Sequence, residues 1–154
     1  MNIFDNVIDK TACDGYIDWI KKEYKERCDR GMDPMSFTTR LIDIDRAVIT
    51  PFVKDYIEER INIKLNHRWS QFQVWPVNSN SPSHIHDDPR AGDANFTSML
   101  YLNDDFNGGD FFTNDIIIRP RVGRLTLFNG REIYHGVARV LDKPRYSIIF
   151  WWNV

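Results

Sequence analysis

Residues 145–152 read Arg-Tyr-Ser-Ile-Ile-Phe-Trp-Trp, and their pattern is the strongest indication of the fold in this sequence. Successive side chains of a β-strand point to opposite faces, and here both faces are apolar over the second half of the stretch. Such a strand is typical of the centre of a sheet that is covered on both sides. We therefore predict a central strand that turns alternate side chains toward a pocket and toward supporting helices. The pocket set is Arg145, Ser147, Ile149 and Trp151, and the helix set is Tyr146, Ile148, Phe150 and Trp152.

Short runs of β-branched and aromatic residues precede this strand from about residue 66 onward. Gly, Pro, Asn and Asp separate the runs, as expected for strands that are joined by turns. Several short strands at close intervals indicate a β-sandwich or barrel rather than a parallel α/β sheet. The predicted strands are residues 69–77, 96–102, 110–113, 115–119, 124–128, 133–140 and 145–152.

The first third of the chain carries a helical pattern instead. Apolar residues recur at spacings of three and four after Thr11, which is the predicted N-cap, and Gly31 is the predicted stop. A second helix is expected to begin at Thr50 and Pro51, because proline is tolerated in the first turn of a helix. Residues 38–44 between the helices are consistent with a strand. The sequence therefore predicts one domain, residues 1–154, of the α+β class, with helical support over about 1–66 and a mainly β core over about 67–154.

Composition and charge narrow the class of protein. The 154 residues carry 20 Lys and Arg against 22 Asp and Glu, which gives a net charge of −2 and no basic excess for nucleic-acid binding. No apolar run approaches the ~20 residues of a membrane span, and the first residues lack the pattern of a signal peptide. Cys13 and Cys28 are too far apart for a disulfide if both lie on one helix. These features predict a soluble, cytoplasmic protein with no nucleic-acid or membrane partner.

Residues that can carry chemistry cluster in the β region. His86 and Asp88 are two apart, so on a strand their side chains point to the same face and can reach one ion. His135 follows 49 residues later and completes a set of two histidines and one carboxylate. That set is the ligand arrangement of non-haem Fe(II) oxygenases, which leaves positions open for a co-substrate and O2. A His-x-Asp pair alone is weak evidence, because surface loops often contain one.

An arginine at the start of the predicted central strand strengthens this interpretation. An unpaired buried charge is very costly, so Arg145 needs an anionic partner, and its planar fork suits a carboxylate. Thr97 and Tyr101 are four apart on one predicted strand and therefore share a face. We expect their hydroxyl groups to bind the same carboxylate as Arg145.

Five ordered elements resemble the prolyl 4-hydroxylase-like group of the 2-oxoglutarate (2OG) and Fe(II)-dependent dioxygenases, over about residues 70–152. The last of them is most similar to the hypoxia-sensing prolyl hydroxylases, which use Arg where collagen-type enzymes use Lys. The elements are His86-x-Asp88, Thr97-Ser-Met-Leu-Tyr101-Leu-Asn, Gly108-Gly109 with an aromatic residue soon after, Pro120-x-x-Gly123-x-x-x-x-Phe128, and His135 with Arg145 ten residues on.

The resemblance implies a double-stranded β-helix, or jelly roll, with helices on its outer face. It implies Fe(II), 2OG and O2, with ascorbate as an optional reductant, and a reaction that hydroxylates an unactivated C–H bond and releases succinate and CO2. The implied substrate is a peptidyl proline, and a free amino acid or another small metabolite is the alternative. The implied metal ligands are His86, Asp88 and His135. The residues implied to bind the far carboxylate of 2OG are Arg145, Tyr101 and Thr97.

The chain also departs from the family pattern. Relatives usually carry two tyrosines before the first metal histidine, and this chain has Pro76 or Val77 and Ser83 at those positions. Residues 87–95 are expected to form a mobile flap over the metal, because loops beside rigid sites often carry recognition. Asn129 and Gly130 are interpreted as a hairpin turn. The candidate substrate contacts are Arg90, Trp151 and His84.

Three other functions remain open on the sequence. A metal-dependent cupin would use His84, His86 and His135, but it has no use for Arg145 inside the pocket. A jelly-roll binding module would keep the site and bind a ligand without turnover. A nucleobase-demethylating dioxygenase is disfavoured, because the chain has no basic stripe and no second Arg after Arg145.

Overall fold

The computed structural model describes residues 1–31, 38–40, 49–87 and 94–154. Over these residues the chain forms two helices, α1 (Lys10–Asp29) and α2 (Ile49–Ile61), and ten strands. The strands are β1 (Asn2–Phe4), β2 (Thr38–Arg40), β3 (Asn66–Trp75), β4 (Ser81–His84), β5 (Phe96–Tyr101), β6 (Phe111–Thr113), β7 (Ile117–Ile118), β8 (Leu125–Asn129), β9 (His135–Val137) and β10 (Arg145–Asn153).

The strands form two sheets in which every described pair is antiparallel. The larger sheet has the order β1-β8-β5-β10-β3-β2, and the smaller sheet has the order β4-β9-β6-β7. Aromatic side chains of the two sheets meet between them, as Phe111 of β6 and Phe128 of β8 do with ring centroids 5.0 Å apart. The predicted mainly β core is therefore confirmed, and the space between its sheets holds the site.

Strand β10 lies inside the larger sheet, between β5 and β3, as residues 145–152 predict. Ile149 and Trp151 pack with Met99 and Phe128 between the sheets. The opposite face of β10 belongs to the core that includes the helices, and it consists of Tyr146, Ile148, Phe150 and Trp152. The predicted register is confirmed, since a slip by one residue would have exchanged these two faces.

Both helices pack against the outer face of the larger sheet, as expected. Helix α1 begins earlier than predicted, because the carboxylate of Asp9 caps it by accepting a hydrogen bond of 2.8 Å from the Ala12 N–H. The predicted cap at Thr11 is therefore wrong. Gly31 follows α1 in the left-handed conformation expected of a helix stop, and α2 begins at Ile49, one residue before the prediction. The helix residues in the shared core include Cys13, Ile17, Ile20, Val53 and Ile57.

The sequence patterns miss two short strands, β1 and β4. Strand β4 contains Pro82 and two serines, which have low strand propensity, and it pairs with β9 more than fifty residues away. Strand β1 pairs with β8 near the other end of the chain, with Asn2 opposite Leu127. Local patterns cannot reveal such long-range pairs. Of the strand expected at residues 38–44, residues 38–40 form β2 and residues 41–44 lie outside the described residues.

Cys13 is buried and Cys28 is partly buried, and neither forms a disulfide. In the part of the chain that the structure describes, no helix is both long enough and apolar enough to cross a membrane.

Candidate active site

A cavity of about 490 Å³ lies between the two sheets. Alternate side chains of β3 form one wall, because the residues between them face the helices. No described residue that lines this cavity carries a carboxylate, an ammonium or a guanidinium group. The cavity is therefore polar through amide and imidazole groups rather than through charge. The β3 wall consists of Trp69, Gln71, Gln73 and Trp75.

Two imidazoles meet inside this cavity. His135 begins β9 and His86 follows β4, and their Nε2 atoms are 3.0 Å apart. Nδ1 of His135 donates a hydrogen bond of 2.7 Å to the Ile133 carbonyl, which leaves a lone pair on Nε2. Burial lowers the pKa of His86 to about 3 and the pKa of His135 to about 4. Both rings are therefore neutral at pH 7, which is the form that binds a metal.

The spacing of these nitrogens fits one shared metal ion. Two nitrogen ligands that lie ~2.1 Å from one ion at a right angle are ~3.0 Å apart, as the two Nε2 atoms are. Metal-bound histidines almost always donate their other N–H to a backbone carbonyl or a similar acceptor, as His135 does. The donor set therefore fits a divalent ion. Asp88 and Arg90 lie outside the described residues, so their proposed roles stay predictions from the sequence.

Thr97 is buried beside His86 and does not line the cavity. Its Oγ1 is 3.2 Å from Nδ1 of His86. Tyr101 is four residues further along β5, which corresponds to ~13 Å at ~3.3 Å per residue. The ~13 Å separates the backbone positions, so the predicted binding of one carboxylate by both hydroxyl groups stays a prediction from the sequence. In the structure the Thr97 hydroxyl contacts the ring of His86, which is a contact that the sequence did not predict.

Gly130 leaves the space that the His86 ring occupies. A Cβ atom added to Gly130 would overlap Nδ1 of His86. The Gly130 carbonyl also accepts a hydrogen bond of 2.8 Å from the His86 N–H. Gly130 does not have the positive φ of a two-residue type I′ hairpin turn. The predicted turn is present, since the Asn129 carbonyl accepts hydrogen bonds from the N–H groups of Glu132 and Ile133. The predicted hairpin is wrong, because β8 and β9 lie in different sheets, and Gly130 is required by its close approach to His86.

Replacing Gly130 with alanine is expected to push the His86 ring out of position and to weaken metal binding. Loss of an outer support of a metal ligand typically lowers affinity by roughly 10- to 100-fold, and we expect a loss in that range for Mn(II) in anaerobic titration calorimetry. Gly15→Ala is the matched control, since an added Cβ there has no neighbour within 4 Å. Equal Mn(II) affinities of the two variants would contradict this role of Gly130.

His84 joins the two imidazoles. It is the cross-strand partner of His135 in the β4–β9 pair, and the ring centroids of these two residues are 4.5 Å apart. Its ring centroid is 5.5 Å from that of His86. One ligand atom from each of the three histidines lies within 4.8 Å of the others. The structure thus brings three histidines together. The His-x-Asp motif and the distal histidine account for only two of them, His86 and His135, and His84 is the third.

Arg145 is fully buried beneath the cavity, and part of its guanidinium has no partner. Its Nε and Nη1 atoms and the hydroxyl of Tyr101 are buried with no hydrogen-bond partner among the described residues. The rings of Trp75 and Tyr101 contact the guanidinium, with centroids 5.3 and 5.1 Å from Cζ. Ring contacts of this kind stabilise the cation without using its N–H groups. Those groups therefore stay available to a carboxylate.

The protonation states at this end also suit an anion. Burial raises the pKa of Tyr101, so its hydroxyl stays protonated and can donate a hydrogen bond. Burial lowers the pKa of Arg145, but arginine is not deprotonated in proteins. Buried polar groups are nearly always hydrogen-bonded, and three unpartnered donors in one place indicate a missing acceptor. The carboxylate of a ligand would satisfy all of them.

Sequence reasoning missed Trp75 and the contact that Met99 makes. Trp75 is the cross-strand partner of Arg145 and lies eleven residues before His86, close to where relatives carry a tyrosine. The Sδ atom of Met99 is 2.8 Å from Nη2 of Arg145, and the Met99 side chain also lines the cavity. Met99 therefore lies between the guanidinium and the open part of the cavity. The strand register brings these residues together, and no local pattern encodes it.

Trp151 lines the cavity at the histidine end, as predicted. Its ring stacks on Trp69 with centroids 5.2 Å apart and an interplanar angle of 28°. The same ring lies 4.4 Å from the centroid of His86. A pair of indole rings therefore borders the candidate metal position.

The chain is similar in sequence to a known protein family and to several curated proteins. Residues 70–153, more than half of the chain, match the model of the 2OG-Fe(II) oxygenase superfamily. Among curated proteins, prolyl 3-hydroxylase 3 of Mus musculus is 42% identical over 64 residues, which are 36% of this chain and 9% of that protein. The chain thus spans about a tenth of the length of the curated relatives it matches.

Two solved structures share the fold. The viral collagen prolyl hydroxylase of Paramecium Bursaria Chlorella virus-1, in its 2OG complex, has a TM-score of 0.77 at 19% identity and covers 98% of this chain and 93% of its own. A prolyl hydroxylase from Trichoplax adhaerens, in complex with a hypoxia inducible factor oxygen degradation domain peptide fragment, has a TM-score of 0.76 at 17% identity. It covers 98% of this chain and 82% of its own. The double-stranded β-helix predicted for the β core is therefore confirmed.

Proposed function

The chain belongs to the 2OG-Fe(II) oxygenase superfamily, and on that premise we propose that it is an Fe(II)- and 2OG-dependent hydroxylase of prolyl residues in peptides. The observation that carries this proposal is a buried guanidinium with two unpartnered nitrogens on the same sheet face that borders an imidazole pair. A metal site alone fits many proteins. The buried guanidinium of Arg145 can also pair with a carboxylate, so the site as a whole fits an acid that chelates the metal at one end and has a second carboxylate at the other.

Fe(II) would be held by His86 and His135 together with Asp88, whose assignment rests on the His-x-Asp spacing. When bound, the iron supplies the redox chemistry in which O2 converts 2OG to succinate and CO2 and leaves one oxygen atom as the hydroxyl of the product. Burial keeps the imidazoles of His86 and His135 neutral, and their Nε2 atoms lie 3.0 Å apart. The Ile133 carbonyl orients one ring and Thr97 orients the other.

The far carboxylate of 2OG would bind Arg145 and Tyr101. It would accept hydrogen bonds from Nε or Nη1 of Arg145 and from the Tyr101 hydroxyl, which have no partner among the described residues. Met99 would have to turn away from Nη2, and its unbranched side chain makes that movement inexpensive. Burial of this end excludes water from the ion pair and strengthens it.

The uncharged cavity supports a peptide-bound substrate over a free amino acid. The α-ammonium and α-carboxylate of a free amino acid would need opposite charges when buried, and none of the described lining residues supplies one. A prolyl residue inside a peptide is neutral. Its apolar ring can pack on the faces of Trp151 and Trp69, whose stacked pair lies beside His86.

A metal-dependent cupin is the second candidate, and the cluster of three histidines favours it. Such a protein binds its metal through imidazoles and needs no buried cation in the same interior. The unpartnered guanidinium of Arg145 therefore favours the 2OG-dependent enzyme. The two candidates differ in one readout, because a cupin of this kind makes no succinate from 2OG.

The proposal is tested by succinate formation from 2OG with Fe(II), O2 and ascorbate, in the presence and absence of proline-rich peptides. We expect peptide-dependent succinate and a peptide product heavier by one oxygen atom in mass spectrometry. Amino-acid analysis of the product separates 3-hydroxyproline from 4-hydroxyproline. Free proline serves as the competing substrate. Succinate formation with free proline and none with any peptide would overturn the peptide assignment, and the absence of 2OG turnover would overturn the enzyme class.

We also propose that residues 1–154 act as one domain in the cytoplasm. The core shared by both helices and the larger sheet supports one domain, and the two free cysteines support a reducing compartment. A single cooperative unfolding transition and fractionation of the tagged protein with cytoplasmic markers are the expected results.

A further inference from the structure

His84 has a fixed ring orientation that the His-x-Asp motif does not explain. Its Nδ1 atom is 2.9 Å from the Pro82 carbonyl oxygen, with the Ser81 hydroxyl at 3.4 Å. A carbonyl oxygen can only accept, so Nδ1 carries the proton and Nε2 carries the lone pair. His135 is oriented in the same way by the Ile133 carbonyl. Both rings thus have the backbone support that is typical of metal-bound histidines.

The position of His84 also suits a metal ligand. His84 and His135 are cross-strand partners, and the ligand atoms of His84, His86 and His135 lie within 4.8 Å of one another. Two nitrogens on opposite sides of one ion, each ~2.1 Å from it, would be ~4.2 Å apart. The ligand atoms lie up to 4.8 Å apart, so the ring of His84 would have to move by about half an ångström to bind the same ion. Strand β4 is an edge strand of the smaller sheet and is paired on one side, which leaves room for such a shift.

The fixed tautomers make a cation the natural partner of these nitrogens. With Nδ1–H of both His84 and His135 bonded to carbonyls, neither ring can donate a proton from Nε2 to the other. Nε2 of His135 lies 3.0 Å from Nε2 of His86, and His84 is not buried, so a cation or water that binds among the three rings would meet a lone pair from each of His84 and His135. A divalent ion satisfies both at once.

Coordination number decides when His84 can bind. Two histidines and a carboxylate would leave room on a six-coordinate divalent ion for a chelating co-substrate and O2. A third imidazole therefore competes with these ligands. We infer that His84 is a third imidazole ligand of the resting metal ion and that it leaves the ion when 2OG chelates. This inference rests on the proposed metal site and not on the proposed substrate.

The test counts imidazole ligands with Cu(II) as the probe, because pulsed electron paramagnetic resonance resolves the remote nitrogens of bound imidazoles. We expect three imidazoles in the wild type and two in both His84→Ala and His84→Gln. Ser83→Ala is the matched control, since Ser83 is an exposed neighbour on the same strand, and it should keep three. Addition of 2OG to the wild type should lower the count from three to two and leave His84→Ala unchanged.

Co(II) titration gives an independent readout of affinity. Removing a ligand should lower Co(II) affinity at least as much as removing an outer support does, which is roughly tenfold or more. Two imidazoles in the wild type, or equal Co(II) affinities of wild type and His84→Ala, would overturn the inference while the proposed function stood. If the wild type retained three bound imidazoles in the presence of 2OG, the proposed departure of His84 from the ion would be overturned. Absence of metal binding by the wild type would overturn both the inference and the proposed function.

Discussion

Replacing Arg145 with glutamine is expected to weaken 2OG binding by roughly ten- to over a hundredfold. Hydrogen bonds that involve a charged group contribute ~1.5–3 kcal/mol, which corresponds to that range of affinity. Nε and Nη1 of Arg145 have no hydrogen-bond partner among the described residues, so the substitution removes contacts reserved for a ligand. The measurement is anaerobic titration of 2OG into the Mn(II)-loaded protein. Mn(II) affinity itself should be nearly unchanged, because Arg145 is not a metal ligand.

Two further variants make this result specific. Arg121→Gln removes a guanidinium from an exposed position and should leave 2OG affinity unchanged. Arg145→Lys keeps the charge but loses the planar fork, so its loss of affinity should be smaller than that of Arg145→Gln. Loss of a buried cation that lacks a carboxylate partner should not unfold the protein, and circular dichroism checks this. Equal 2OG affinities of wild type and Arg145→Gln would remove the main support for the proposed function.

Replacing His135 with alanine is expected to abolish succinate formation and to lower metal affinity by more than the roughly 10- to 100-fold that loss of an outer support costs. The Nε2 atom of His135 lies 3.0 Å from that of His86, so the substitution removes one of two nitrogens that converge on one point. Anaerobic Mn(II) titration measures the affinity, and succinate formation from 2OG measures the turnover.

His67→Ala is the matched control for this experiment. The His67 ring contacts Ser70 and Trp152 on the helix side of the larger sheet and does not line the cavity. It should therefore retain metal affinity and turnover, apart from any change in stability. Retention of Mn(II) affinity by His135→Ala would mean that the convergence of the imidazoles does not create a metal site.

The cavity wall formed by β3 carries no charged side chain, which suits a neutral substrate such as a prolyl residue in a peptide. Strand β3 turns Gln71 and Gln73 toward the cavity between two tryptophans, and it turns Phe72 and Val74 toward the helices. The alternation of side chains along β3 therefore places one set of residues in the cavity wall and the other set in the core. Charge in this interior is concentrated at Arg145, which the co-substrate would neutralise.

The amino-acid sequence is sufficient to predict the central strand and the order of the site residues along the chain. The alternation in residues 145–152 depends on the two-residue period of a strand, so burial on both faces can be read locally. The same holds for the spacing of His86, His135 and Arg145 along the chain, which carries the resemblance to the oxygenase family. A helix cap is less well determined, because Asp9 and Thr11 are both capping residues and differ in position by half a turn.

The pairing of strands that are distant in the chain sets which of these residues contact one another. His84 faces His135 through pairing of β4 with β9, and Trp75 faces Arg145 through pairing of β3 with β10. Thr97 of β5 contacts Nδ1 of His86, which follows β4 in the other sheet. The register of antiparallel strands depends on contacts between residues that are far apart in the chain, and local patterns carry no record of them.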